Sequence, residues 1–195
     1  NFRLDMTNHI AVVTFPERRL SKINIPSSIV FQSNEFIVNR IGKCEYNNYI
    51  KKITFSEDTQ IKCIDFGKIN CPWLETILIP NSVEKIIFDR IKSEKLRKIL
   101  TYPQNQHFKW DERGFLFGKS EEDTDFNAII FARDDISYVQ IPSNNKFLNQ
   151  RLFAGFRSLT FVDFSLNSLI FSISQYLFAS SSIECISMPK SVKTL

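Results

Sequence analysis

The residues of this chain that could do chemistry are few, and their spacing does not suit it. The two histidines, His9 and His107, stand 98 positions apart (9 to 107), and neither has a cysteine or second histidine at metal-ligand spacing. Gly118-Lys119-Ser120 looks like the tail of a phosphate loop. The full pattern needs a glycine five residues before Gly118, where Arg113 stands, and Phe115, Leu116 and Phe117 suit a strand better than a backbone cradle. Glu121, Asp123 and Asp125 alternate like the start of a calcium loop, but Phe126 and Ala132 occupy the positions that need Gly and Glu, which leaves a solvated acidic hairpin tip. No GxSxG nucleophile elbow occurs. Cys44, Cys63, Cys71 and Cys185 include no CxxC pair, and in 195 residues an even count is no disulfide framework. They read as small buried hydrophobes. The expectation is no catalytic, cofactor-binding or metal-ligating residue, no cofactor, no small-molecule substrate and no enzyme.

Composition points the same way. An apolar fraction of 43%, with 19 phenylalanines and 5 glycines, fits a packed core rather than a disordered chain. No apolar run approaches the roughly 18 residues that cross a bilayer, so membrane anchoring is not visible in this stretch. The chain opens at Asn1 without a signal-like segment and stops at Leu195 just after a strand-like phrase, so both ends look cut from a longer array. Residues 1–113 hold 18 Lys/Arg and 13 Asp/Glu (+5), whereas residues 114–195 hold 7 and 8 (−1). Acidic residues interrupt the basic half, and a nucleic-acid groove would carry a denser stripe, so no nucleic-acid partner is expected.

The elements that position these side chains come from a repeated phrase: an apolar residue, two variable residues, Ile or Val, one variable residue, an apolar residue and often Pro. It occurs as LSKINIP (20–26), IKKITFS (50–56), LETILIP (74–80), ISYVQIP (136–142), LTFVDFS (159–165) and IECISMP (183–189), with a looser copy, LRKILTYP, at 96–103. Successive starts lie 24 (50 to 74), 22 (74 to 96), 23 (136 to 159) and 24 (159 to 183) residues apart. That period falls in the leucine-rich-repeat window of roughly 20–29 residues. Side chains alternate along a strand, so the fourth and sixth positions point inward and the third and fifth point outward. Pro after the strand fits, because it cannot donate to the next ladder rung. LNQRLF (148–153) and ISQYLF (173–178) place a phenylalanine at matching positions in two repeats, where it should fill the space behind the strands.

Two intervals break the period: 30 residues from Leu20 to Ile50 and 40 from Leu96 to Ile136. In the second, FKWD, a Glu112-Arg113-Gly114 turn and FLFG read as a β-hairpin, with AIIFA (128–132) as a third strand. Residues 104–135 are thus a hairpin insertion in one array running over 1–195, and residues 1–19, with IAVVTFP, are an irregular or truncated repeat or an added hairpin.

These details resemble a family. LETILIPNSVEKI, LFAGFRSLTFVDFS and YLFASSSIECISMPKSVKTL are similar to BspA-type leucine-rich repeats, and NQHFKWDERGFLFGK with AIIFARDDISYVQIP resembles the hairpin insertion of that family. The resemblance implies a leucine-rich-repeat solenoid: stacked parallel β-strands on the concave face, mostly strand and loop with short helical or irregular convex segments, plus a β-hairpin insertion. It also implies a non-catalytic protein–protein interaction module, surface-displayed or secreted and adhesive; the alternative is a cytoplasmic scaffold.

The outward positions then make up the candidate partner-binding surface for a protein ligand. Lys22, Lys52 and Lys98 mark the N-terminal half. Leu78, Leu100, Tyr138 and Phe161 form an apolar and aromatic middle, with Gln140 and Asp163 beside the aromatics. Exposed aromatics are enriched at interface hot spots.

Overall fold

The computed structural model describes residues 1–15, 19–88, 95–119 and 124–193. Its chain divides into two compact units, Asn1–His107 and Phe108–Leu195. Among the described residues the regular structure is strand, with one short 3-10 turn at Phe66–Lys68 and no α-helix.

In the first unit, four phrases become a parallel sheet in the order Lys98–Thr101, Thr76–Ile79, Lys52–Phe55, Lys22–Ile25. The inward positions Ile25, Ile53, Phe55, Ile77, Ile79 and Ile99 are buried, as is the first residue of each of three repeats, Ile50, Leu74 and Leu96. Three of the four strands begin with the same contact. Two consecutive N–H groups share one carbonyl of the preceding repeat: Lys51 and Lys52 on Ser21, Glu75 and Thr76 on Lys51, Arg97 and Lys98 on Glu75. The same three strands end in a turn, with an i+3 N–H donated back to Ser56, Pro80 and Tyr102. The Pro of the phrase therefore stands at a turn, where its fixed φ is useful and its missing N–H costs nothing. A second parallel pair, Cys63–Asp65 with Lys85–Ile87, lies in the returning halves of two repeats.

The long interval after Leu20 holds a β-hairpin, Ser28–Phe31 against Asn34–Ile41. Its turn residues Gln32 and Ser33 have φ of 50° and 62°. Asn34–Ile41 pairs in parallel with Ile10–Val13, which pairs antiparallel with Phe2–Asp5, completing a four-stranded mixed sheet.

In the second unit, Tyr138–Ile141, Phe161–Phe164 and Cys185–Ser187 form a parallel sheet in register. The shared-carbonyl contact recurs, with Thr160 and Phe161 on Ser137 and Glu184 and Cys185 on Thr160. A hydroxyl rung joins the turns: Ser165 donates to the Ile141 carbonyl at 2.8 Å and Ser191 to Ile170 at 2.7 Å. In the first unit Ser82 does the same to Ile61 at 2.9 Å. Behind the strands, the rings of Phe153 and Phe178 stack at 5.7 Å and 6°, and Phe156 meets Phe153 edge-on at 5.6 Å. The matching phenylalanines of the two repeats thus fill the core, as expected from the sequence. The turns that deliver them use left-handed backbone at matching places: Arg151 and Tyr176 at φ 62° and 69°, and Gly155 and Ser180 at φ 78° and 57°.

Phe108–Asp111 and Phe115–Gly118 pair antiparallel around Gly114, which has φ 100°; Phe115–Gly118 also pairs with Ala128–Ala132. Phe115, Leu116 and Phe117 are buried, so this strand supplies core.

Candidate functional site

Period-two alternation divides each repeat strand into a buried face and an open one. Every outward position named from the sequence is solvent-accessible. Lys22, Lys52, Lys98, Tyr138 and Gln140 are exposed, and Leu78, Leu100, Phe161 and Asp163 are half-buried. The structure gathers them into two groups. Lys22, Lys52, Leu78, Lys98 and Leu100 belong to the four-stranded parallel sheet of the first unit; Tyr138, Gln140, Phe161 and Asp163 belong to the three-stranded sheet of the second. The strand carrying Leu100 pairs with Thr76–Ile79 and the strand carrying Tyr138 with Phe161–Phe164, so the two apolar stretches read from the sequence are carried by separate sheets.

In the second unit, parallel register sets Tyr138 beside Phe161 and Gln140 beside Asp163. The Tyr138 and Phe161 rings lie 5.5 Å apart, tilted by 35°, with Tyr138 50% exposed. The Tyr138 hydroxyl and the Gln140 amide both donate to Asp163 Oδ2, each at 3.4 Å. These contacts are long, and they leave the carboxylate with acceptor capacity. Loss of solvent around Tyr138, together with the Asp163 charge and hydrogen bond, holds the phenol above its ordinary pKa. The hydroxyl therefore stays protonated and keeps donating. Beyond them a depression of about 380 Å³ is lined by Gln140, Ser143, Asp163, Ser165, Leu166 and Asn167. An aromatic pair next to one carboxylate and an open depression presents stacking surface and hydrogen-bonding groups to solvent.

In the first unit, Lys22 stands next to Lys52 in register, and Thr76 separates Lys52 from Lys98. On the next outward rung, Thr54 donates to Asn24 Oδ1 at 3.0 Å. Lys51, beside the lysine row, pairs with Glu75 at 3.0 Å.

Sequence reasoning missed several exposed apolar side chains. Leu166, 89% exposed, stands in the turn after Phe161–Phe164, where other copies of the phrase have polar turn residues. Leu169 and Phe171 follow it, and in the first unit Tyr49 and Trp73 are also exposed. The signal for the last two was their place immediately before the buried first residue of a repeat.

The remaining motifs are now placed. Gly118 ends a strand, and the Lys119 ammonium lies 4.9 Å over the Phe126 ring. Ser120, Glu121 and Asp123, the rest of the phosphate-loop and calcium-like patterns, lie outside the described residues. Cys44 and Cys71 are buried, Cys63 is half-buried and Cys185 exposed, all as free thiols. No cluster of three or more His, Cys, Asp or Glu among the described residues could hold a metal ion. No helix among them is long and apolar enough to cross a membrane.

Residues 124–195 match the BspA type Leucine rich repeat region, in 6 copies. No curated protein matches the chain. Among solved structures, the pneumococcal vaccine antigen PcpA is similar over 90% of this chain, at 20% identity and a TM-score of 0.68. A leucine rich cell surface protein from Faecalibacterium prausnitzii A2-165 is similar over 98% of this chain and 75% of its own, at 12% identity and a TM-score of 0.54. The chain spans 41% of the PcpA structure. At these identities the likeness is one of fold.

Proposed function

We propose, from the match of residues 124–195 to the BspA type Leucine rich repeat region, that the chain is a non-catalytic module that binds protein, displayed at a cell surface and adhesive in role. The observation that carries this reading is the outward cluster of Tyr138, Phe161, Gln140 and Asp163. A sheet face with no binding role has little reason to expose a paired aromatic surface beside an underused carboxylate. The exposed end of the hairpin insertion at 104–135, with Glu112 and Arg113, is the second contact region. Surface display is supported by the kinds of protein that share the fold, one a vaccine antigen and one a cell surface protein. The other reading, an intracellular scaffold, is favoured by the four unbridged cysteines, since thiols persist in reducing compartments.

The test of the site is the double variant Tyr138→Ala/Phe161→Ala, assayed for binding to intact cells and to immobilised matrix proteins. Loss of two hot-spot rings should weaken binding by at least about 2 kcal/mol, some thirtyfold, with circular dichroism unchanged. Retained binding by the folded double variant would place the site elsewhere. Surface labelling of intact cells with a membrane-impermeant reagent separates the two settings: tagging supports display, and protection alongside a tagged surface control supports the scaffold.

A further inference from the structure

We propose that the outward face of the four-stranded parallel sheet in the first unit binds a sulfated polysaccharide, with Lys22, Lys52 and Lys98 holding its anionic groups and Tyr49 and Trp73 stacking on its sugar rings. This site is separate from the Tyr138–Phe161 cluster, and its fate does not depend on that reading.

The first observation is electrostatic. Lys22, Lys52, Thr76 and Lys98 occupy one row across four strands in register. Adjacent strands are about 4.8 Å apart, so three ammonium groups line a span of roughly 14 Å. Like charges in neighbouring positions destabilise a sheet. Among the described residues the strands put no acid on this face, whose other outward residues are Asn24, Thr54, Thr76, Leu78 and Leu100. Glu75, one residue before Thr76, is held by Lys51 at 3.0 Å. A row of uncompensated lysines calls for an anion from outside the chain.

The second observation is aromatic and independent of the first. Tyr49 and Trp73 occupy the same repeat position, immediately before the buried Ile50 and Leu74, and both rings are exposed. Each carries its own cation: Arg19 lies 5.4 Å over Tyr49 and Lys95 5.9 Å over Trp73. An exposed ring with a cation over one face offers stacking surface beside a positive charge, which suits a ligand whose units have an apolar C–H face and an anionic substituent, as a sulfated sugar does. Two of the ammonium groups stand on adjacent strands and the third two strands on, roughly 5 and 10 Å apart, spacings that a polymer with closely placed anionic groups can meet. The cations of the row are lysines, point charges on flexible stems, where a fixed carboxylate or phosphate would favour the bidentate fork of arginine. An acidic peptide would engage the lysines and leave the two rings unused.

The experiment uses the full chain and a heparin-derived decasaccharide, with its desulfated form, polyglutamate and oligo(dT) as comparison ligands, titrated by calorimetry across a salt series. Lys22→Gln/Lys52→Gln/Lys98→Gln should weaken decasaccharide binding at least about tenfold and lower the slope of log K against log salt by roughly 2–3, as expected for three lost ion contacts. A control triple variant of equal charge, Lys146→Gln/Lys190→Gln/Lys193→Gln, should stay within about twofold of wild type, since net charge alone acts weakly through salt. Trp73→Ala should weaken binding several-fold with the slope unchanged. Equal losses in the two triple variants would overturn the proposal, since binding would then follow net charge alone. Polyglutamate or oligo(dT) binding as tightly as the decasaccharide, with Trp73→Ala silent, would also overturn it and assign the face to an acidic protein or to nucleic acid.

Discussion

Replacing Phe153 by alanine tests whether the repeats of the second unit are held together by the column of rings behind the strands. Phe153 is fully buried, stacks on Phe178 at 5.7 Å and meets Phe156 edge-on at 5.6 Å. Removing a buried phenylalanine ring costs about 3–5 kcal/mol, as lost transfer energy plus the cavity left behind. Its neighbours are strands and turns fixed by inter-repeat hydrogen bonds, such as Phe153 N–H to the Leu177 carbonyl at 3.0 Å. They cannot collapse into the gap, which favours the upper part of that range. Phe178 is only partly buried, so Phe178→Ala should cost about half as much. The two losses should not add. Stacked aromatic pairs carry about 0.5–1.5 kcal/mol beyond their buried area, and a double-mutant cycle isolates that term. The assay is urea unfolding followed by the fluorescence of Trp110, which lies in the same unit, with the midpoint falling and the slope unchanged. A Phe153→Ala loss below about 1 kcal/mol, or a coupling of zero, would refute the stacked column.

Two further predictions concern thiols and backbone. Burial pushes the Cys44 thiol up to about 11 and the Cys71 thiol up to about 12, with Cys44 adding to the effect on Cys71. The fold keeps both protons beyond the pH near 9 at which the unfolded chain releases them, so stability from this source is whole below pH 9 and falls as pH rises towards 11–12. A thiol reagent at pH 8 should modify Cys185 promptly and Cys44 and Cys71 only on unfolding; fast modification of all four native thiols would contradict the buried placement. At the left-handed turn positions, Gly155→Ala should destabilise by about 1 kcal/mol, although an added Cβ at φ 78° meets no atom within 4 Å. Ser180→Gly at the matching position of the next repeat should be neutral or slightly stabilising, because glycine removes that strain. Equal effects at the two sites in thermal melts would show that the left-handed geometry carries no strain.

The strand phrases were legible in the sequence because their inward positions obey one local rule. Ile53 and Phe55, Ile77 and Ile79, Val139 and Ile141, Val162 and Phe164 are all apolar at the fourth and sixth places, and all are buried. Register followed from the same rule, since a slip of one residue would turn each strand's apolar pair to solvent. The hairpin Ser28–Ile41 was not legible beyond an excess of residues. Its turn is made by Gln32 and Ser33 at φ 50° and 62°, where the recognisable signal would be Asn-Gly, and its partner strand Ile10–Val13 is distant in sequence. The parallel pair Cys63–Asp65 and Lys85–Ile87 was hidden for a related reason: three-residue strands are too short to show alternation, and a ladder between repeats fixes them.

The outward positions themselves were legible from alternation, but their grouping was not. Tyr138 meets Phe161 because parallel register places position three of one repeat beside position three of the next. The same geometry puts Lys22 beside Lys52. One topological rule thus makes an aromatic–acid cluster in one sheet and a row of like charges in the other, and the side chains at the third and fifth positions decide which. Selection on a repeat protein can change its ligand one strand at a time, since an outward substitution alters the surface without touching the buried rung behind it. That separation is why Tyr138→Ala/Phe161→Ala and Lys22→Gln/Lys52→Gln/Lys98→Gln are expected to change binding and leave folding intact, while Phe153→Ala should do the reverse.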